Sequence, residues 1–270
     1  GENPPVDDSD PHAAQVARAD DLYMRFTRAD NEAAIAIYER VLAAAPDNAD
    51  AQAGFANALV QRVVRWPDRP GTGSGGASSL AEAFDRGLTG TAEAQAVLAR
   101  AVAMAERAVR LSPRNPAALK ALGFAYTAGG DLDRGEEIYE QVLAVDANAW
   151  AALINLGEIE SMRGRTAAAI ERFEEAYAAM GRAYAYEPQR VGPWQVALGV
   201  AIGERYEQQA RPADAELWYR RVLAEAPFEP EATVRLARLL ADSGDEAEAR
   251  ALCQSLRERV GDYPGCIDLQ

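Results

Sequence analysis

Apolar residues along most of this chain recur three or four positions apart, the spacing with which a helix buries one face. Turn signals divide the pattern into short blocks. Asn115-Pro116 offers an N-cap followed by a proline at the first helical position, and Gly192-Pro193 repeats the arrangement. Gly129-Gly130 and Gly164 fall between blocks, where a positive φ is often needed. The pattern predicts paired helices joined by tight turns.

A fixed period organises these pairs. "ALKALGFAYTAGGDLDRGEEIYEQVL" aligns without gaps on "ALINLGEIESMRGRTAAAIERFEEAY". Leu119 and Leu153, Leu122 and Leu156, Gly123 and Gly157, Gly130 and Gly164, Tyr139 and Phe173, and Val142 and Ala176 are each 34 residues apart. The same step joins Tyr206 to Leu240, Tyr219 to Cys253 and Val222 to Leu256. Aromatics at Tyr38, Tyr139, Phe173 and Tyr219 are expected to fill the space between units as core residues. One helix pair cannot bury its apolar face alone, whereas stacked pairs share a continuous core.

The units "ALGFAY…GG…Y" and "NLGEIE…RG…A…F" resemble the tetratricopeptide repeat family in their Leu-Gly and small-aromatic pattern, over about residues 15 to 263. Ala56 and Ala237 replace the usual first-helix glycine, and Cys253 replaces an aromatic; each stays small or apolar. The resemblance implies an all-α fold, a right-handed superhelical solenoid of about six helix pairs. The units run over about 15–48, 49–115, 116–149, 150–190, 191–229 and 230–263, with a linker at 1–14 and a tail at 264–270.

Two places break the period. From Phe173 to Tyr219 the step is 46 residues, and the excess of 12 carries no loop-like sequence. The helices "ERFEEAYAAMGRAYAYEP" and "PWQVALGVAIGERYEQQ" are therefore expected to lengthen, the first by two turns, with Tyr177, Tyr184, Tyr186 and Trp194 along a protruding pair; its tip is a candidate contact surface, and mutual packing is the favoured use of those rings. The second break separates Ala56 from its partner Ala101 by 45 residues where 12 are expected. Residues 66–92 read as an insertion holding a Gly/Ser-rich loop and a short helix in "SLAEAFDRGLTG". A rival parse makes it a degenerate extra repeat, but Asp85 and Thr89 would then occupy buried landmarks. "GTGSGG" lacks the Lys-Ser/Thr ending and the preceding strand of a phosphate loop, which leaves a flexible insertion, anchored through Trp66 and Phe84 and covering a groove or an edge.

Composition narrows the function. The net charge of −14 argues against nucleic-acid backbones and anionic membrane surfaces. No run of 18 apolar residues predicts a membrane span. The start "GENPPVDDSDPH" has neither an initiator Met nor a hydrophobic signal core and reads as a linker in a processed or truncated product. His12 is the single histidine and two cysteines do not complete a zinc site, so no metal or cofactor is expected. Glu136-Glu137 and Glu174-Glu175 read as solvated surface, and no nucleophile elbow, Ser/His/Asp set or dinucleotide fingerprint appears, so no enzyme is expected. Cys253 and Cys266 leave two readings open, a disulfide pinning the C-terminal cap, or a buried thiol and an unrelated tail thiol.

The resemblance further implies that first helices line a concave groove receiving a peptide or a partner's helix. Carried over residue by residue, the groove candidates are Tyr23, Phe26, Asn57, Lys120, Phe124, Thr127, Asn155, Glu158, Ser161, Glu204, Glu207, Arg235 and Arg238. Lys120, the only lysine, and Asn155 match two places of the family's carboxylate clamp. Phe124 stands where the clamp's first Asn belongs and no matching cation follows, so the clamp is incomplete. The expected function is a protein–protein interaction scaffold with a protein or peptide ligand. The alternative is an extracytoplasmic sensor or regulatory domain, resembling helical-repeat portions of bacterial transmembrane regulators and envelope assembly factors. A disulfide would favour a periplasmic location and free thiols the cytoplasm. Nothing in the pattern sets an oligomeric state.

Overall fold

The structure is a computed structural model that describes residues 12–67, 76–186 and 192–266. Among these residues all regular structure is helical. The helices are α1 (Ala13–Tyr23), α2 (Arg28–Ala44), α3 (Ala49–Arg65), α4 (Leu80–Asp85), α5 (Ala92–Leu111), α6 (Pro116–Ala128) and α7 (Leu132–Val145). They continue as α8 (Trp150–Met162), α9 (Thr166–Ala183), α10 (Gly192–Gln208), α11 (Pro212–Glu225), α12 (Pro230–Ser243) and α13 (Glu246–Val260). The chain divides into two compact units, 1–165 and 166–270.

In the first unit α1 pairs with α2, α3 with α5 and α6 with α7, while α8 packs on α7. Side chains set the helix starts. Thr27 Oγ1 accepts from the Asp30 N–H at 3.1 Å, and Asn48 Oδ1 from Ala51 N–H at 2.8 Å. Asn115 Oδ1 accepts from Ala117 N–H at 2.9 Å with Pro116 following, as expected from the Asn-Pro pair. The α6–α7 turn passes through Gly130 at φ 91°, a left-handed conformation that a side chain disfavours. Inside this hairpin the Tyr139 ring packs against Gly123, and a Cβ there would meet ring atoms at 2.8 Å. Tyr38 and Tyr139 are fully buried. Arg163, at the end of α8, ties α8 to α7 by pairing with Asp133 and Glu136, both at 2.6 Å.

In the second unit α9 packs on α10, α10 pairs with α11, α11 packs on α12 and α12 pairs with α13. Tyr219 lies on Gly203 as Tyr139 lies on Gly123. A disulfide joins Cys253 of α13 to Cys266, with 5.3 Å between Cα atoms, and both cysteines are buried. It holds the short tail against α12, where Gly265 comes within contact of Val234 and Arg238.

Two expectations change here and one is met. Helix α9 has 18 residues against 14 in α7, so it gains about one turn rather than two and ends at Ala183. Tyr177 takes the packing role expected of these rings. It is buried, edge-on to Trp218 at 5.0 Å, and its hydroxyl donates to Glu225 at 2.7 Å. Glu174 is not solvated surface: its Oε1 accepts from Tyr206 Oη at 2.7 Å and from Trp218 Nε1 at 3.1 Å.

Candidate functional site

Successive first helices of the first unit are neighbours: α1 touches α3, α3 packs on α6, and α6 touches α8. The chain leaves this series at the end of α3. Residues 68–75, which hold most of the expected flexible loop, lie outside the described residues. Where the chain resumes, it is tied to the end of α3. Ala77 N–H donates to Val64 O at 2.9 Å and Arg65 Nη2 to Ser78 O at 3.2 Å.

The short helix α4 then starts with a reciprocal cap. Ser79 Oγ accepts from Glu82 N–H at 3.1 Å, and Glu82 Oε2 accepts from the backbone N–H and hydroxyl of Ser78 at 2.8 and 2.6 Å. Arg86 donates to Glu82 Oε1 at 2.9 Å. The hydroxyl and backbone N–H of Ser78, aided by Arg86, pull the Glu82 carboxyl down to about 2. Ser-x-x-Glu is a signature of this cap. Ser79-Leu80-Ala81-Glu82 carries it, so the start of α4 was legible in the residues.

Helix α4 packs on α8 and also touches α3, so it spans the first helices on either side of α6. Leu80, Ala81, Ala83 and Leu88 are buried. Leu80, Ala83 and Leu88 belong to the apolar cluster against which Tyr23 and Phe124 pack. The polar contact is specific. Glu158 of α8, only 6% exposed, accepts a hydrogen bond from Ala81 N–H of α4 at 2.8 Å. A carboxylate is well matched to an N–H that a helix start leaves without a partner in its own backbone. Phe84, expected as an anchor, points outward and is 40% exposed. Leu80 and Leu88 do that work instead.

The other groove candidates fall into three groups. Tyr23, Phe26, Asn57, Lys120, Phe124, Asn155 and Ser161 are half-buried. The Tyr23 and Phe26 rings are 6.2 Å apart, and Arg65 lies 4.9 Å over Phe26. Burial pushes the Tyr23 hydroxyl up to about 12, against the pull of Arg65. Burial lowers the Lys120 ammonium pKa, with Asp146 opposing. Several polar candidates turn onto their own helix. Asn155 Nδ2 donates to Ala151 O at 2.7 Å and Ser161 Oγ to Gly157 O at 2.9 Å. Thr127 leaves the groove surface altogether: it is fully buried and donates to Gly123 O at 2.8 Å.

In the second unit the charged candidates neutralise one another. Arg235 of α12 pairs with Glu204 of α10 at 2.7 Å and with Glu207 at 3.4 Å, and with Glu231 at 2.7 Å. Burial opposes its charge, but these carboxylates, Glu204 foremost, hold the Arg235 pKa above the ordinary value. Glu207 also accepts from Tyr219 Oη. Arg238 is exposed, beside Gly265 of the tail. Among the described residues no group of three or more His, Cys, Asp or Glu could hold a metal, and no helix is long and apolar enough to cross a membrane.

Stacked helix hairpins with internal ring-on-glycine docking define a helical-repeat protein of scaffold type. Models of the family described as tetratricopeptide repeat match residues 92–157, 200–264 and 18–52, together more than half of the sequence, and the chain belongs to that family. It is 34% identical over 193 residues to the Cellulose synthase operon protein C of Xanthomonas axonopodis pv. citri (strain 306), covering 66% of this chain and 13% of that protein. It is also 31% identical over 127 residues to the Cellulose synthase 1 operon protein C of Komagataeibacter xylinus, covering 47% of this chain and 9% of that one. The chain thus spans about an eighth or less of the length of these bacterial relatives. Among solved structures, the human IFIT1 dimer with m7Gppp-AAAA has a similar fold, with a TM-score of 0.52 and 18% identity over 90% of this chain and 48% of that one.

Proposed function

We propose that this chain is a non-catalytic segment of a larger scaffold protein, and that its first helices receive a polypeptide segment of a partner. The observation that carries this reading is the seat of α4. A helix belonging to none of the hairpins lies on first-helix surface, with its Ala81 N–H on the Glu158 carboxylate. Such a surface offers what recognition of a helix in a groove uses, an apolar floor and a placed acceptor. Lys120, Asn57 and Asn155, all half-buried on α3, α6 and α8, supply further polar contacts on the same helices.

The setting is read from two observations. The Cys253–Cys266 disulfide favours an oxidising compartment outside the cytoplasm. The relatives named for cellulose synthase operons suggest a partner among the proteins of a polysaccharide-synthase assembly. Affinity capture from the envelope fraction of the bacterium carrying the gene tests this reading. Wild type is expected to retain a protein encoded beside it, and Lys120→Ala/Asn155→Ala to retain about tenfold less, a loss of 1.4 kcal/mol. Retention of no polypeptide, or equal retention by the variant, rejects the groove as the binding surface.

A further inference from the structure

Helix α4 is six residues long and is joined to the hairpins on one side through residues 66–79 and on the other through 86–91. It forms none of the ring-on-glycine contacts that dock Tyr139 on Gly123 and Tyr219 on Gly203. Its own seat consists of the apolar side chains Leu80 and Ala83 and the Ala81–Glu158 bond, while Leu88 just beyond it and the ties of Ala77 to Val64 and Ser78 to Arg65 hold the flanking chain. Its outer face, with Phe84 and Asp85, is exposed. The contacts made by α4 itself are features that another short helix could supply: one aliphatic residue at its first position, an alanine three positions later, and a backbone N–H at its second position.

We propose that α4 is a resident ligand. The face of α3 and α8 is a receptor for a short amphipathic helix, and the chain keeps it occupied with a copy of its own until a partner helix of the same kind displaces it. This rests on the scaffold reading above and adds the chemistry of the partner. The incoming helix begins on a Ser or Thr cap, presents Leu and Ala at the first and fourth positions, and carries no acidic side chain at its first two positions. An acidic group there would lie beside Glu158, and two buried like charges repel. Glu158 therefore selects a helix start over an anionic segment. Only a minor population of the open face is needed, at the cost of a proportionally lower apparent affinity.

Two measurements on the full chain test the proposal. A labelled peptide, SSLAEAFDRGLTG, corresponding to residues 78–90 is titrated into wild type and into Leu80→Asp/Ala83→Asp, in which α4 can no longer seat its apolar face. The variant is expected to keep its helical circular dichroism and to bind the peptide at least about tenfold more tightly than wild type. Adding Glu158→Ala to the variant should weaken that binding. Equal binding to both chains, or none to a folded variant, overturns the proposal. The second measurement needs no variant. Amide hydrogen exchange at Ala81, Glu82 and Ala83 of wild type is expected to proceed through a local opening while α3 and α5 stay protected. Exchange of α4 only with global unfolding, or collapse of the whole fold in Leu80→Asp/Ala83→Asp, makes α4 a permanent strut and overturns it as well. The peptide is the chain's own, so these results stand apart from whether envelope capture finds a partner.

Discussion

The Glu158 side chain on α8 is bonded to the backbone of Ala81, 77 residues earlier in the chain, at 2.8 Å in a buried setting. This contact fixes the register of α4 on the first-helix face. Glu158→Ala leaves a buried N–H without an acceptor, and such a loss costs about 1–3 kcal/mol. That cost should appear as faster exchange at Ala81 and its neighbours, with exchange in α5 unchanged. Glu158→Gln keeps an acceptor oxygen and should lose less. Equal protection of Ala81 in Glu158→Ala would mean the bond contributes nothing.

The cap of α4 carries a pH dependence of known sign. The Glu82 carboxyl is lowered from 4.5 to about 2 by Ser78 and Arg86, so its ionised form is favoured in the folded chain. Its contribution is complete above pH 4.5 and is lost as pH falls from there through about 2. Exchange protection in α4 should decline across that window, and Glu82→Gln should remove the dependence. A decline of the same size in Glu82→Gln would assign it to other carboxylates.

Two glycines of similar helical setting should respond in opposite ways. At Gly123 an added methyl would sit 2.8 Å from the buried Tyr139 ring, so Gly123→Ala should lower stability by about 1–3 kcal/mol through overpacking. Gly181 is exposed within α9, and a methyl there meets only Gln195 at 3.5 Å. Gly181→Ala should leave stability unchanged or raise it by up to about 1 kcal/mol. Denaturant unfolding of both variants checks the pair, and comparable losses would contradict ring-on-glycine docking.

Reduction of the Cys253–Cys266 bond opens a loop closed over 13 residues, for which the lost restraint is worth roughly 3 kcal/mol. The effect should be confined to α12, α13 and the tail. Dithiothreitol or Cys266→Ser should therefore increase exchange near Val234 and Arg238, which Gly265 covers, with α6 and α7 unaffected. Unaltered exchange in α12 after full reduction would show that the tail holds by packing alone.

The sole lysine allows one further check. Burial lowers the Lys120 pKa below its ordinary 10.5, against the attraction of Asp146. The pH profile of amine acylation at Lys120 should have its midpoint below that value, and Asp146→Asn should lower it further. A midpoint at or above 10.5 would mean that burial does not outweigh the attraction of Asp146.

The hairpins were legible in the residues because their cause is local and repeated: the 34-residue spacing of Gly123, Tyr139 and their counterparts reflects one helix-pair geometry used many times. The break at residues 66–92 was legible for the same reason, as an interval the period cannot absorb. Individual groove side chains were harder to place. Thr127 and Ser161 satisfy their hydroxyls on carbonyls four residues back, a choice made by rotamer and burial that spacing cannot reveal. The repeat pattern names Glu204, Glu207 and Arg235 one by one as groove candidates, but their mutual pairing depends on how α10 lies beside α12. Glu158 lies on α8. Its partner was not foreseeable, because Ala81 reaches it through an insertion that obeys no period.

The ring-on-glycine junctions of the α6–α7 and α10–α11 hairpins lie inside one repeat, whereas Tyr38 of α2 docks on Gly54 of α3 across a repeat boundary. A repeat duplicated or deleted in the gene carries such an internal clasp with it, but a change at the α2–α3 boundary parts Tyr38 from Gly54. Gain or loss of a whole module should therefore carry least structural penalty where the clasp is internal, and more where a ring of one repeat seats on a glycine of the next.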